Sequence, residues 1–449
     1  MTQGGFGFLE LELEFRSADL WPPPSDVWLA FRRSFLIMTA IYPIPPRTPH
    51  DPDRPHLVPT SRLTDLPEYV FAWLDELKAA ARQRGAELID LGMGNPDQPT
   101  PQPIIDAIAA AYNDPKTHGY PPFRGSPRFR TAVSSYMKSR FGVDVDAEHE
   151  VLCLSGAKEG IAQATMAFAD ESTISLVPDI YYPVHGRASG LVGSRAHFLP
   201  LHEDRGFLPE LSAIPSSVLS RASILILNYP HNPTGAVAPL ELYEEAVELC
   251  RRHSLLLISD LAYSELTYDG VVAPSALEVD GAKAVTLEFH SFSKTFNMAG
   301  SRIGFAVGSR DLIDTLNAVR TNMGYGTPVP IQAGAAYALD HFRELETPTV
   351  ARYRARRDFA IEGFRSLGWT TKAPHGSMFM WLPIPRGFGA QEWTQYLIDK
   401  ADVVVTPGNA FGPGGEHYFR VSLIADQPVF TAALDRLRKA GIRFDMKRP

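Results

Sequence analysis

The chain has 449 residues, 45% hydrophobic and 21% charged, with a net charge of −8. Its length exceeds the ~250–300 residues at which a single core stops growing, so two domains around a well-buried centre are expected. The charges are interspersed, which argues against a nucleic-acid footprint, and no run reaches the roughly 18 apolar residues of a membrane span. Neither nucleic acid nor membrane is an expected partner, and no metal is expected.

Residues 1–57 hold PPP at 22–24 and PIPPRTPHDPDRP at 43–55. They are expected to form a Pro-rich, poorly ordered arm with extended backbone, and Met38 is an alternative start. Residues 58–90 are expected to join a smaller domain formed further along. Between 91 and 344, short apolar runs alternate with amphipathic stretches such as 239–253: VLCLS (151–155), ISLVP (174–178), ILILN (224–228), LLLISD (255–260), VTLEFHS (285–291) and RIGFAVG (302–308). This alternation predicts βαβ units, an α/β class and a mostly parallel sheet in a large domain. Residues 345–449 contain a basic helix at 347–367, SMFMWLPI, a helix at 390–401, VVVTPG, YFRVSL and a final helix from 428, which predicts a smaller α+β domain. The only cysteines, Cys153 and Cys250, lie in apolar stretches and predict buried thiols. With no secretory leader pattern at the N-terminus, a cytoplasmic location is expected.

In such sheets ligands collect beyond the carboxyl ends of the strands, where SGAKEG, NYPHNPTG, DLAY and SFSK all fall. Lys294, at a strand-to-helix turn between Phe292 and Phe296, has the setting of an amine whose charge burial disfavours, as a Schiff-base nucleophile requires. Arg302 and the hydroxyls of Ser291 and Ser293 offer a phosphate a planar cation and short neutral donors. The glycine-bearing turn at Gly156, Ala157 and Lys158 opens a helix with free N–H groups. An amine beside a phosphate clamp points to pyridoxal 5′-phosphate, at once an aldehyde and a phosphate ester. That cofactor needs a buried carboxylate for its ring nitrogen, and Asp260 closes the apolar strand LLLISD. Asn232 and Tyr263 are placed to reach its ring oxygen and Tyr182 to stack on one face, with Tyr181 the alternative. Taken alone, Asp260 also reads as a helix cap and Asn232 as a turn former. Arg420 is placed to grip a substrate carboxylate from the smaller domain.

In order and spacing, Gly94-Asn95-Pro96, Tyr120 in YPPFRGSP, SGAKEG, NPTG, DLAY, SFSKTFNMAGSRIGF and FRVSL resemble the class I/II aminotransferases among the fold type I pyridoxal phosphate enzymes, over about residues 60–445. The resemblance implies a seven-stranded, mostly parallel sheet between helices, and ping-pong transfer of an amino group between an amino acid and a 2-oxo acid. It implies that Lys294 binds the cofactor and moves the substrate Cα proton, and that Asp260 holds the ring nitrogen. Asn232 and Tyr263 would hold the ring oxygen, and Tyr182 would stack. Gly156, Ala157, Lys158, Ser291, Ser293 and Arg302 would form the phosphate cup, Gly94 and Asn95 would flank the substrate, and Arg420 would anchor its carboxylate. Tyr120 would reach the phosphate of a neighbouring subunit, implying a homodimer with shared sites. The stretches DLAYSELTYDG and GYGTPVPIQ are most similar to alanine-type aminotransferases and their LL-diaminopimelate relatives, which favours an alanine-type donor with 2-oxoglutarate. The competing readings are a C–S lyase on the same fold and, more distantly, a cofactor-sensing regulator.

Overall fold

A computed structural model describes residues 59–67 and 69–448, and the expected Pro-rich arm lies outside them. The strands are, in chain order, β1 (Ile89–Asp90), β2 (Val151–Leu154), β3 (Ile174–Pro178), β4 (Arg195–Leu199), β5 (Ala222–Asn228), β6 (Leu256–Asp260), β7 (Thr286–Ser291), β8 (Gly304–Val307), β9 (Phe379–Pro383), β10 (Val403–Val404), β11 (Thr406–Pro407) and β12 (Tyr418–Ser422). Seven of them form one sheet in the order β2-β8-β7-β6-β5-β3-β4. β8 runs antiparallel to both its neighbours, and the remaining pairs are parallel.

The central strands are apolar on both faces because helices cover both. Leu225 and Leu227 of β5 pack into one cluster with Phe129, Tyr243 and Ala335 of the helices Pro127–Phe141, Leu240–His253 and Val329–Asp340. The alternating Ile224 and Ile226 enter another cluster with Ile161 and Ile313 of the helices Ala157–Phe168 and Arg310–Met323. Period-two side-chain direction thus divides one strand between two cores. The edge strand β4 was not expected. Only Leu199 in it is buried, so Arg-Ala-His-Phe-Leu lacks the apolar run that marked the central strands.

A second sheet, β11-β12-β9, is antiparallel, and its middle strand pairs Arg420 with Trp381 on one side and Thr406 on the other. It packs in a core with Trp369, Trp393, Phe419 and Leu434, while β1 pairs in parallel with β10. The helix expected at 347–367 spans Phe342–Ser366. It begins earlier because Phe342 is buried in the core under the large sheet, and it accommodates Pro348 in its second turn. Cys153 and Cys250 are free and buried, and burial pushes both thiols up to about 12. Among the described residues no helix is long and apolar enough to cross a membrane.

Candidate active site

A cavity of about 630 Å³ opens beyond the carboxyl ends of β2, β5, β6 and β7. Lys294, Asp260, Tyr263, Asn232, Tyr182, Gly156, Ala157, Lys158, Ser291, Ser293, Arg302, Gly94, Asn95 and Arg420 all line it. Parallel strands end on the same side of a sheet, so residues as far apart in the chain as Gly156 and Lys294, 138 positions, meet there.

The turn geometry explains the anion-binding end. Gly156 has φ +101°, and a Cβ there would stand 2.6 Å from Arg302 Nη2. A side chain at 156 would therefore occupy the space that brings the guanidinium against the backbone at the start of the helix Ala157–Phe168. Arg302 adopts φ +50°, and its Nη1 donates to the Ala299 carbonyl at 2.9 Å. Ser291 caps the short turn 292–295 by accepting from the Ser293 N–H at 3.2 Å, which keeps both hydroxyls at the cavity.

Lys294 is half-buried and its Nζ donates to the Gly94 carbonyl at 2.7 Å. Burial first, and then the positive charges of Arg420 and Arg302, bring its amine down to about 8. At the far side Asp260 is buried, and its Oδ2 lies 3.0 Å from His185 Nε2, while its Oδ1 accepts from the Ala262 N–H at 3.2 Å. Asn228 ties the turn together: its Nδ2 donates to the Asp260 carbonyl at 2.8 Å and its Oδ1 accepts from the Asn232 N–H at 3.1 Å. Tyr182 is half-buried and packs edge-on to His185, and burial pushes its hydroxyl up to about 12. Tyr181 instead stacks on Phe198 and does not line the cavity.

Arg420 is buried, and its Nη1 donates to Asn232 Oδ1 at 3.1 Å and its Nη2 to the Gly92 carbonyl at 2.7 Å. The guanidinium lies over the rings of Phe379 and Phe411, 4.1 and 4.6 Å from their centroids. Among the described residues it makes no ion pair, and its Nε has no hydrogen-bond partner. Burial lowers its pKa to about 10 despite Tyr263, Tyr182 and Asp90 nearby. A buried cation without a carboxylate is expensive, and the arrangement is matched by an incoming anion. Tyr263 lies at 3.5 Å from Asn232 Nδ2, and burial raises its hydroxyl above the usual phenol range.

Tyr120 is not brought to this cavity. It is 79% exposed and stacks on Tyr325 with ring centroids 4.0 Å apart. His185 and Asn228 were not anticipated from the residue pattern. His185 falls three positions after Tyr182 on the next helix, a spacing with meaning only once β6 is known to lie beside that helix's start.

The family model for aminotransferase class I and II matches residues 86–437. The chain belongs to that family. The aminotransferase is 42% identical over 378 residues to the LL-diaminopimelate aminotransferase of Moorella thermoacetica, covering 84% of this chain and 97% of the relative. It is likewise 42% identical over 387 residues to LL-diaminopimelate aminotransferase 2 of a Nostoc species, covering 85% and 98%. Among solved structures it resembles substrate-bound BacF from Bacillus subtilis, with a TM-score of 0.83, 34% identity, and 88% and 100% of the two chains covered. It also resembles a probable N-succinyldiaminopimelate aminotransferase from Thermus thermophilus, with a TM-score of 0.78, 35% identity, and 83% and 100% covered. The enzyme is pyridoxal 5′-phosphate-dependent, as this family is. Its residues fit the cofactor: a depressed amine, a buried carboxylate and a glycine-made cradle beside an arginine line one cavity.

Proposed function

We propose that this aminotransferase takes its amino group from an LL-diaminopimelate-type donor, an amino acid with a second charged end, and passes it to a 2-oxo acid such as 2-oxoglutarate. The observation that carries the reading is Arg420, a buried guanidinium with no ion-pair partner among the described residues, facing the cavity that holds Lys294. Every amino acid and every 2-oxo acid supplies the carboxylate that would complete it, in the two-pronged geometry a guanidinium favours. The donor is chosen on the names of the relatives. The cavity wall includes the polar Asn95 and Asp75, the latter paired with Lys78 at 2.6 Å, and such a wall suits a donor with a charged distal end better than the methyl group of alanine. The alanine-type donor favoured by the motifs is the competing outcome.

When bound, the cofactor supplies a protonated ring that withdraws the charge left when the substrate Cα loses its proton. Asp260, oriented by His185, would hold the proton on the ring nitrogen. Lys294, its amine brought down to about 8, would accept the proton from the substrate Cα. Arg420 and Asn232 fix the substrate carboxylate, so that the Cα–H bond stays directed at the amine. Asn232 and Tyr263 would hold the ring oxygen, and Tyr182 would stack on the ring. Gly156, Ala157, Lys158, Ser291, Ser293 and Arg302 would hold the phosphate. The exposed Tyr120, with Tyr325 stacked behind it, completes the site of a second subunit in a homodimer.

A screen of LL-diaminopimelate, alanine, aspartate, methionine and aromatic amino acids against 2-oxoglutarate tests the reading, with kcat/KM expected to be highest for LL-diaminopimelate. A higher kcat/KM for alanine would replace the donor. Pyruvate release from cystathionine without amino transfer would favour the lyase reading instead.

A further inference from the structure

Arg356, on the helix Phe342–Ser366, does not line the cavity, yet it is buried and holds a segment that does. Its Nη1 donates to Asp97 Oδ1 at 2.8 Å and its Nη2 to Asp97 Oδ2 at 2.7 Å, a two-pronged contact. The same guanidinium donates from Nη2 to Asp426 Oδ1 at 2.5 Å and from Nη1 to the Leu423 carbonyl at 3.1 Å. Leu423 immediately follows β12, the strand of Arg420. One side chain thus ties Asp97, at the far end of the 94–97 segment, to the residue that follows the strand of Arg420.

That segment meets the reacting groups directly. The Gly94 carbonyl accepts from Lys294 Nζ at 2.7 Å, and Asn95 lines the cavity. Gly94 packs so closely that a Cβ would stand 3.0 Å from the Phe379 ring and 3.4 Å from Arg420 Nη2. Two positions earlier, the Gly92 carbonyl accepts from Arg420. Only Asn95 and Pro96 separate Gly94 from Asp97, and Pro96 has a fixed φ, so displacement of Asp97 reaches Gly94 with little slack. Burial alone would raise the Asp97 carboxyl, but the bonds from Arg356 and Gln98 outweigh it and keep the group ionised.

We propose that Arg356 is a positioning residue for amino transfer: its grip on Asp97 holds the Gly94–Asp97 segment against Lys294 and Arg420, setting how a substrate carboxylate is received. The proposal rests on the reading of Lys294 as the catalytic amine and Arg420 as the anchor. The neighbouring Arg357 supplies an internal comparison, because it makes an equivalent two-pronged contact with Asp269, at 2.7 and 3.0 Å, away from the cavity.

The test compares holoenzyme carrying Asp97→Asn with Asp426→Asn, Asp269→Asn and Arg356→Lys, using the best donor of the wild-type enzyme and 2-oxoglutarate. Asp97→Asn and Arg356→Lys are expected to raise the KM of both substrates about tenfold with a smaller change in kcat, while bound-cofactor absorbance is retained. Asp426→Asn and Asp269→Asn are expected to stay within about twofold of wild type in KM. In cofactor-free protein, amide hydrogen exchange across residues 92–97 is expected to quicken in Asp97→Asn and not in the two controls. A wild-type KM in a folded Asp97→Asn enzyme, or the same KM rise in both controls, would overturn the proposal. Absence of amino transfer by the wild type from any donor would instead sink the functional reading, while the exchange experiment would still judge the clamp.

Discussion

His185 Nε2 lies 3.0 Å from Asp260 Oδ2, with both side chains buried at the end of the central strand β6. The imidazole and the Ala262 N–H take one carboxylate oxygen each, so Asp260 is held in one orientation before anything binds. Loss of the imidazole leaves a buried acceptor short of a partner, at a cost of about 1–3 kcal/mol. His185→Phe is therefore expected to lower kcat by about tenfold or more, and Asp260→Asn by about 10²–10⁴. With a Cα-deuterated donor, the isotope effect on kcat should grow in both variants as proton removal becomes slower. An unchanged isotope effect and rate in Asp260→Asn would remove that carboxylate from the reaction.

The amine of Lys294 should titrate far below an ordinary lysine. Its neutral form reacts, so labelling of cofactor-free protein by an amine reagent should rise with pH through a midpoint of about 8. Burial comes first among the causes and the charge of Arg420 second, so Arg420→Met should move the midpoint upward. Peptide mapping of the labelled site measures both. Lys294→Ala should abolish the absorbance of the covalently held cofactor and reduce turnover by at least ~10⁴-fold.

Arg420→Met separates binding from stability. If Arg420 receives the substrate carboxylate as proposed, KM should rise about a hundredfold or more for donor and acceptor alike. Its melting temperature should stay close to that of the wild type, since removing a buried unpaired cation offsets the loss of the donor to the buried Asn232 Oδ1. The Gly92 carbonyl is not orphaned, because Thr406 Oγ1 at 2.6 Å and Ser422 Oγ at 3.3 Å still donate to it. Parallel thermal melts and kinetics decide the matter.

Gly156→Ala tests the anion cradle. The residue sits at φ +101°, where a side chain is strained, and the added methyl would lie 2.6 Å from Arg302 Nη2. Displacing the guanidinium from the helix start should weaken cofactor affinity by about tenfold or more, measured by equilibrium dialysis of the cofactor-free variant. Affinity equal to wild type would mean that Arg302 does not contact the phosphate.

Much of this enzyme is legible before any coordinates. Apolar runs with covered faces, such as LLLISD, mark the central strands, and strand ends carrying Asp260 and Lys294 mark the site, because burial makes a charged residue at those positions costly without a purpose. The edge strand β4 escaped because solvent on one side removes the apolar run, and the early start of the helix at Phe342 escaped because the packing of one distant side chain sets it. His185 and Asn228 escaped for the same reason, as their partner Asp260 is 75 and 32 positions away. Local chemistry is written in residue order, so the chain alone determined the fold class and pointed to an amine, a carboxylate and a glycine turn that the fold brings to one cavity. Which buried charges lack a partner, which hydroxyl faces outward as Tyr120 does, and which arginine steadies the substrate segment depend on long-range packing, and they emerge only when elements hundreds of residues apart are folded against one another.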